Sequence, residues 1–404
     1  MRRDRSFPRG RVSPGMQAVR RTCILAFALL CCMVLPGQAA SSEPIPDEAA
    51  AFQEQYDALL HESGADALFS QLPEDGQKLL EENGVDGVDQ ESLMGLSFWD
   101  VLGGIWSGVK SAAARPLTML ATSIGVILLC ALLNSMKSSF QNPSFERIFS
   151  VMSVISLASV VILPIAQMIT KTAALLKEMS GFMLGFVPVY VGIVSVSGKP
   201  VSAMTYNACV VGVAQIISRI ASTVLVPLLA IYMALCLIGA ASQEIGMEGI
   251  SKAVKKVVTV ALTFFLTVFV GLLSVQGTIA ASADTVTLKT AKFAVSTFLP
   301  VVGGAIGDAL NSIQGCVGVI RSTVGGFGIV AIAAAFLPSV ITLLLMQLSL
   351  TIAGAVGEAL GVDRVSSLMR TASSVLSLLL GILLVFAVIF IVSISLMLSL
   401  SASG

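Results

Sequence analysis

Polar and apolar positions divide this chain into an apolar leader, a short region of mixed character with helical spacing, and a long series of nearly unbroken apolar stretches. In "DEAAAFQEQYDALLHE", Phe52, Tyr56, Leu59 and Leu60 fall on one helical stripe. "LPEDGQKLLEENGVDGVDQESLMGLS" adds short helices that open on Pro-Glu-Asp and Asp-Gln-Glu. "SFWDVLGGIWSGVKSAAARP" then spaces Phe98, Trp99, Leu102, Ile105, Trp106 and Val109 at helical intervals. Both tryptophans of the chain stand there, which predicts a helix lying in a membrane interface.

From Pro116 onward the pattern is that of a bilayer. The stretches 116–136 and 148–170 each approach the ~20 apolar residues needed to cross one. Beyond residue 180 the runs change character. Segments 181–198 and 201–218 are short and broken by Gly, Pro and Ser, whereas 220–241 and 257–280 are full-length spans. The order then recurs, with interrupted stretches over 293–323 and full ones at 326–350 and 374–400. Pro188 in "FVPVYVG" matches Pro300 in "FLPVVGG", Pro227 matches Pro338, and "GMEGISKAVKKV" from Gly246 matches "GVDRVSSLMRTA" from Gly361. These landmarks recur at offsets of about 111 to 115 residues, so the reading is a duplicated unit, 181–280 and 293–400.

Composition agrees with a membrane protein. The chain is 55% hydrophobic and 12% charged, far from the roughly 25% charged residues of soluble domains. Its charges are segregated: Arg2, Arg3, Arg5, Arg9, Arg11, Arg20 and Arg21 open the chain, and fifteen acids lie between Glu43 and Asp100. Nothing in this distribution points to nucleic acid. The leader "RRTCILAFALLCCMVLPGQAAS" has a basic start, an apolar core and small residues at Gly37 and Ala39, the pattern of a signal peptide (1–39) cleaved after Ala39. Met16 is an alternative start. The pair Arg20 and Arg21 reads as ordinary leader charge, and Cys31 and Cys32 lack the small preceding residue that lipidation requires.

Cleavage would put an acidic helical region, 40–115, outside the membrane. A two-span hairpin, 116–180, would then pass "KSSFQNPSFER" through the cytoplasm and return the chain outside at Lys171. If each repeat enters from outside, both twelve-residue stretches face the cytoplasm. Their bases Lys252, Lys255, Lys256, Arg364 and Arg370 satisfy the positive-inside rule. With Glu248 and Asp363 beside them, they are candidate docking loops for a cytoplasmic partner, or simply topology signals. The predicted fold is therefore all-α and polytopic, with six to ten spans and the C-terminus outside.

Paired interrupted segments point to a substrate path or a subunit contact, with Pro188, Pro300, Asp308, Arg219 and Arg321 as candidate lining residues. Close helix packing through small residues, as in "STVGGFGIVAIAAAF", is the competing reading. Arg219 and Arg321 stand at different distances from their prolines, which counts against a self-sufficient transporter. The single histidine, His61, lies in an acidic helical stretch and has no metal-ligand spacing around it. Cys130, Cys209, Cys236 and Cys316 sit in apolar runs as packing residues. No nucleophile elbow, phosphate loop, zinc motif or dinucleotide fingerprint is present, so neither an enzyme nor a cofactor is expected.

The acidic segment ending "GVDGVDQESLMGLSFWDVL", followed by "FVPVYVGIVSVSGKPVSAMTYNACV", "SVQGTIAASADTVTLKTAKFAVSTFLPVVGGAIGDAL" and "GVIRSTVGGFGIVAI", resembles the stage III sporulation protein AE family of endospore-forming bacteria. The resemblance implies a multi-pass component of the mother-cell membrane around the forespore. It also implies ring-forming sister proteins and a cytoplasmic ATPase as partners, and a role in late forespore development. It brings no catalytic residues. A stand-alone secondary transporter built on the repeat is the alternative.

Overall fold

The computed structural model describes residues 56–88, 98–136, 143–196, 215–241, 252–272 and 303–402, with a few single residues and pairs between them. Every element among them is helical. The leader, its cleavage site, Glu248 and Pro300 lie outside the described residues. Eight helices are used below: α1 (56–63), α2 (Glu74–Glu81), α3 (Phe98–Met136), α4 (Pro143–Val196), α5 (215–241), α6 (Lys252–Leu272), α7 (Gly303–Ala359) and α8 (Asp363–Ala402). Six of them, α3 to α8, are long and apolar enough to cross a membrane.

The first two helices form a small cap. A 3-10 turn, Ala65–Gln71, joins them, and Leu60, Leu68, Leu72 and Leu80 are buried. The end of α2 is set by Gly84, whose φ of 77° suits glycine. There Val85 N–H bonds the Leu80 carbonyl at 3.0 Å and Gly84 N–H bonds that of Glu81 at 3.0 Å. This paired closure satisfies carbonyls that the helix end leaves open, and it buries Val85 beside Leu80.

Three expected boundaries are absent. The predicted interfacial helix runs straight into the first span as α3, through Pro116. The second span and the first interrupted stretch are one helix, α4, whose apolar part covers 41 residues and includes Pro164 and Pro188. The second interrupted stretch from 303 likewise merges with the following span as α7, whose apolar part covers 45 residues. Glycine and proline do not break these helices because packing offsets their cost of about 1 and 3 kcal/mol. A Cβ on Gly325 would fall 2.8 Å from Leu398 and 3.0 Å from the Tyr190 hydroxyl, and one on Gly328 would enter the Phe186 ring. These glycines let α4, α7 and α8 approach closely, as packing through small residues requires.

Where the backbone does deviate, proline explains it. In α5 the turn Ala221–Leu225 is a π-helix, immediately before Pro227. A proline ring collides with the carbonyl four residues earlier, here Thr223, and a widened turn relieves that contact.

The strongest pairing is the α7–α8 hairpin. Its turn closes at Gly361, with φ 71°, as Val362 N–H bonds the Gly357 carbonyl at 2.9 Å. Side chains then pair level by level: Gly357 with Ser366, Gly354 with Met369, Thr351 with Ser373, Gln347 with Ser377 and Phe336 with Phe390. Most of the apolar stretch of α8 is buried inside the protein. Against the hairpin stand Phe182, Phe186 and Tyr190 of α4, with ring centroids 5.6 Å apart, the first pair tilted and the second stacked.

Exposed apolar side chains mark a lipid-facing band. On α4 they are Met152, Ile155 and Leu163, and on α7 Leu344, Leu348 and Ile352. Between Cys316 and Leu343, α7 exposes no large apolar residue.

Candidate functional site

No metal-binding cluster occurs among the described residues, and the geometry that stands out is the seat of the cap on the bundle. Four contacts fix it. Gly76 of α2 presses on Ala335 of α7 so closely that a Cβ would lie 3.0 Å from the Ala335 Cα. The Gln71 side chain fills the space that a Cβ on Gly185 of α4 would need. The rings of Phe69 and Phe327 stand 6.4 Å apart. Lys171 of α4 pairs with Asp75 at 2.6 Å, which brings the acidic region to the level of Lys171 on α4. Residues 56–88 are therefore packed on the bundle.

Charge is partitioned around this seat. Lys78 Nζ reaches Glu74 at 2.6 Å, and that hydrogen bond and charge raise its pKa. His61 is exposed and stands 3.1 Å from Asp66. Behind the seat, Ser180 and Ser218 share a buried hydrogen bond, and Gln215 Nε2 donates to the Ser180 carbonyl at 2.9 Å, tying α5 to α4. Next to α2 a cleft of about 840 Å³ opens between α3, α4 and α7.

The α7–α8 turn lies at the other end of the lipid-facing band. From Ala335 to Ala359 the helix rises about 36 Å at ~1.5 Å per residue. That exceeds the ~30 Å hydrocarbon core of a bilayer. From Lys171 back to Pro143 the rise along α4 is about 42 Å by the same measure. Asp363, Arg364 and Arg370 occupy the first turns of α8, and Arg370 is ion-paired to Glu358 across the turn. Lys252, Lys255 and Lys256 occupy the corresponding first turns of α6. Each twelve-residue stretch thus leads into a long apolar helix.

The other singled-out residues do not converge. Pro188 is inside the continuous α4, Arg219 is exposed just before the π turn, and Arg321 is half-buried on α7. Asp308 lies on α7, in a part whose side chains are outside the description. Sequence reasoning missed Gln71, Asp75, Gly76, Lys171 and Gly185 as a set. The one available signal was Gly76 in the middle of an otherwise strong amphipathic helix, where glycine is costly unless something approaches.

The family model described as stage III sporulation protein AE matches residues 86–401. A protein of Bacillus subtilis (strain 168) named "Stage III sporulation protein AE" is 25% identical over 284 residues, 70% of this chain and 69% of that protein. No solved structure matches. Because the family match begins beside the cap and runs through all six apolar helices, the chain belongs to the stage III sporulation protein AE family.

Proposed function

We propose that this protein is an integral membrane core subunit of a multiprotein channel or secretion-like complex that links mother cell and forespore and sustains the forespore after engulfment. Family membership, together with six apolar helices, is the observation that carries the reading. In this reading the cap faces outward from the mother cell, into the space where ring-forming sister proteins assemble. The α7–α8 turn and the start of α6 face the mother-cell cytoplasm, where an ATPase docks near Lys255, Lys256 and Arg370. The rise of about 36 Å between cap and turn supports opposite faces of one bilayer, since the intervening surface is the apolar band. Glycine-packed helices and the absence of a convergent charged path among the described residues support a subunit over a self-sufficient permease.

The test is purification of the tagged full chain from sporulating cells in mild detergent, with co-purifying proteins identified by mass spectrometry. Sister membrane proteins and an ATPase are the expected partners. Substrate-dependent transport by the purified chain alone in proteoliposomes, with no co-purifying protein, overturns the proposal in favour of a transporter.

A further inference from the structure

The cleft beside the cap combines two chemistries. Its upper wall is charged, with Asp75, Lys78 and Glu82 from α2 and Lys171 from α4, joined by Arg115 from α3. Its floor includes Met119, Met168 and Met346, all largely buried and all adaptable in shape. Along α4 the lining extends from Lys171 to Val160, a rise of about 16 Å, close to the ~15 Å depth of one leaflet. Beside it on the outer surface are Leu117 and Leu163, exposed to 59% and 62%, so its surroundings are lipid-facing.

Within the charged wall the pairs are unevenly used. Lys78 is bonded to Glu74 and Lys171 to Asp75. Arg115 and Glu82, of opposite sign and on different helices, line the same cleft with no ion pair among the described residues. An anionic headgroup would satisfy Arg115 and leave Glu82 facing its negative charge. A headgroup carrying both a phosphodiester and an ammonium satisfies both. A soluble phosphoester would leave the methionine floor unfilled.

We propose that this cleft binds one phospholipid with a zwitterionic, ammonium-bearing headgroup. Its phosphate sits on the Arg115 guanidinium, whose planar fork bonds two oxygens at once. Its ammonium sits on Glu82, and an acyl chain lies over the methionines toward Val160. The lipid thereby links the cap to α3 and α4 from the membrane side. The inference needs only that the chain spans a bilayer, and it stands apart from the role in a complex.

The experiment is native mass spectrometry of the full chain, extracted from nanodiscs of equimolar phosphatidylethanolamine and phosphatidylglycerol. The wild type is expected to retain one phosphatidylethanolamine. Arg115→Gln is expected to lower retention about tenfold or more, and Arg115→Lys by less, because lysine keeps the charge without the fork. Glu82→Gln is expected to keep a bound lipid while bringing the two species to equal occupancy. Both positions are exposed, and unchanged melting of the variants confirms folding. Preference for phosphatidylglycerol in the wild type overturns the assignment. So does retention indifferent to Arg115→Gln, absence of any retained lipid, or displacement of the lipid by soluble phosphoethanolamine at equal concentration.

Discussion

The cap's attachment can be tested at a single atom. Gly76 sits inside α2, where replacing glycine with alanine ordinarily gains about 1 kcal/mol of helix preference. Here the new Cβ would meet Ala335 at 3.0 Å from its Cα and 3.2 Å from its Cβ and backbone N. Carbon atoms settle at about 3.5–4.0 Å, and α7 is held by buried neighbours on this stretch, so the cap is the side that yields. For Gly76→Ala, the gain in helix preference and the cost of a small shift roughly cancel. For Gly76→Val the helix gain shrinks to a few tenths of a kcal/mol, while two further methyls raise the overpacking cost to about 1–3 kcal/mol. That corresponds to opening the cap about 5- to 150-fold more often. Leu72, only 5% exposed and lining the contact with α4, is the reporter. In a Leu72→Cys background, a water-soluble maleimide should label Gly76→Val protein at least about fivefold faster than Gly76→Ala protein. Equal labelling in glycine, alanine and valine proteins present at equal levels would refute the close seat.

Three further outcomes are expected. A Ser63→Cys variant should label from outside intact cells, whereas Lys255→Cys and Arg370→Cys should label only after permeabilisation; labelling of the last two from opposite sides would remove the argument for equivalent turns. Gly328→Leu should lower the amount of folded protein and its melting temperature, at an overpacking cost of about 1–3 kcal/mol, because its side chain would occupy the site of the Phe186 ring; an unchanged melting temperature in detergent would show that the α4–α7 contact is looser than described. Reversing charge at Lys255 and Lys256 together should abolish spore formation while leaving membrane levels and labelling unchanged, and normal sporulation would remove the docking role.

The lipid site and the cap seat bear on each other. Asp75 pairs with Lys171 at the seat and also lines the cleft. Exposed ion pairs of this kind contribute about 0–1 kcal/mol each, so burial of Leu72 and the Phe69–Phe327 contact carry more of the attachment than the salt bridge. Loss of Lys171 alone should therefore loosen the cap less than Gly76→Val does.

Local pattern was enough to reveal the all-helical membrane class and the amphipathic acidic helices. Each of these follows from which residues neighbour one another along the chain, through apolar run length and helical spacing. The same local reading interrupted the chain over 181–198, around Pro188, and over 293–323, and in the described parts of both stretches the tertiary structure decided otherwise. The cost of glycine and proline within a helix is local, but the packing that offsets it comes from distant partners: Phe186 and Tyr190 against Gly328 and Gly325, and Ser349, whose hydroxyl lies 3.1 Å from the Pro116 carbonyl. The cap's seat was hidden for the same reason. Nothing within α2 shows that Gly76 meets Ala335 or that Asp75 meets Lys171, because both contacts join positions far apart in the chain that only the folded bundle brings together.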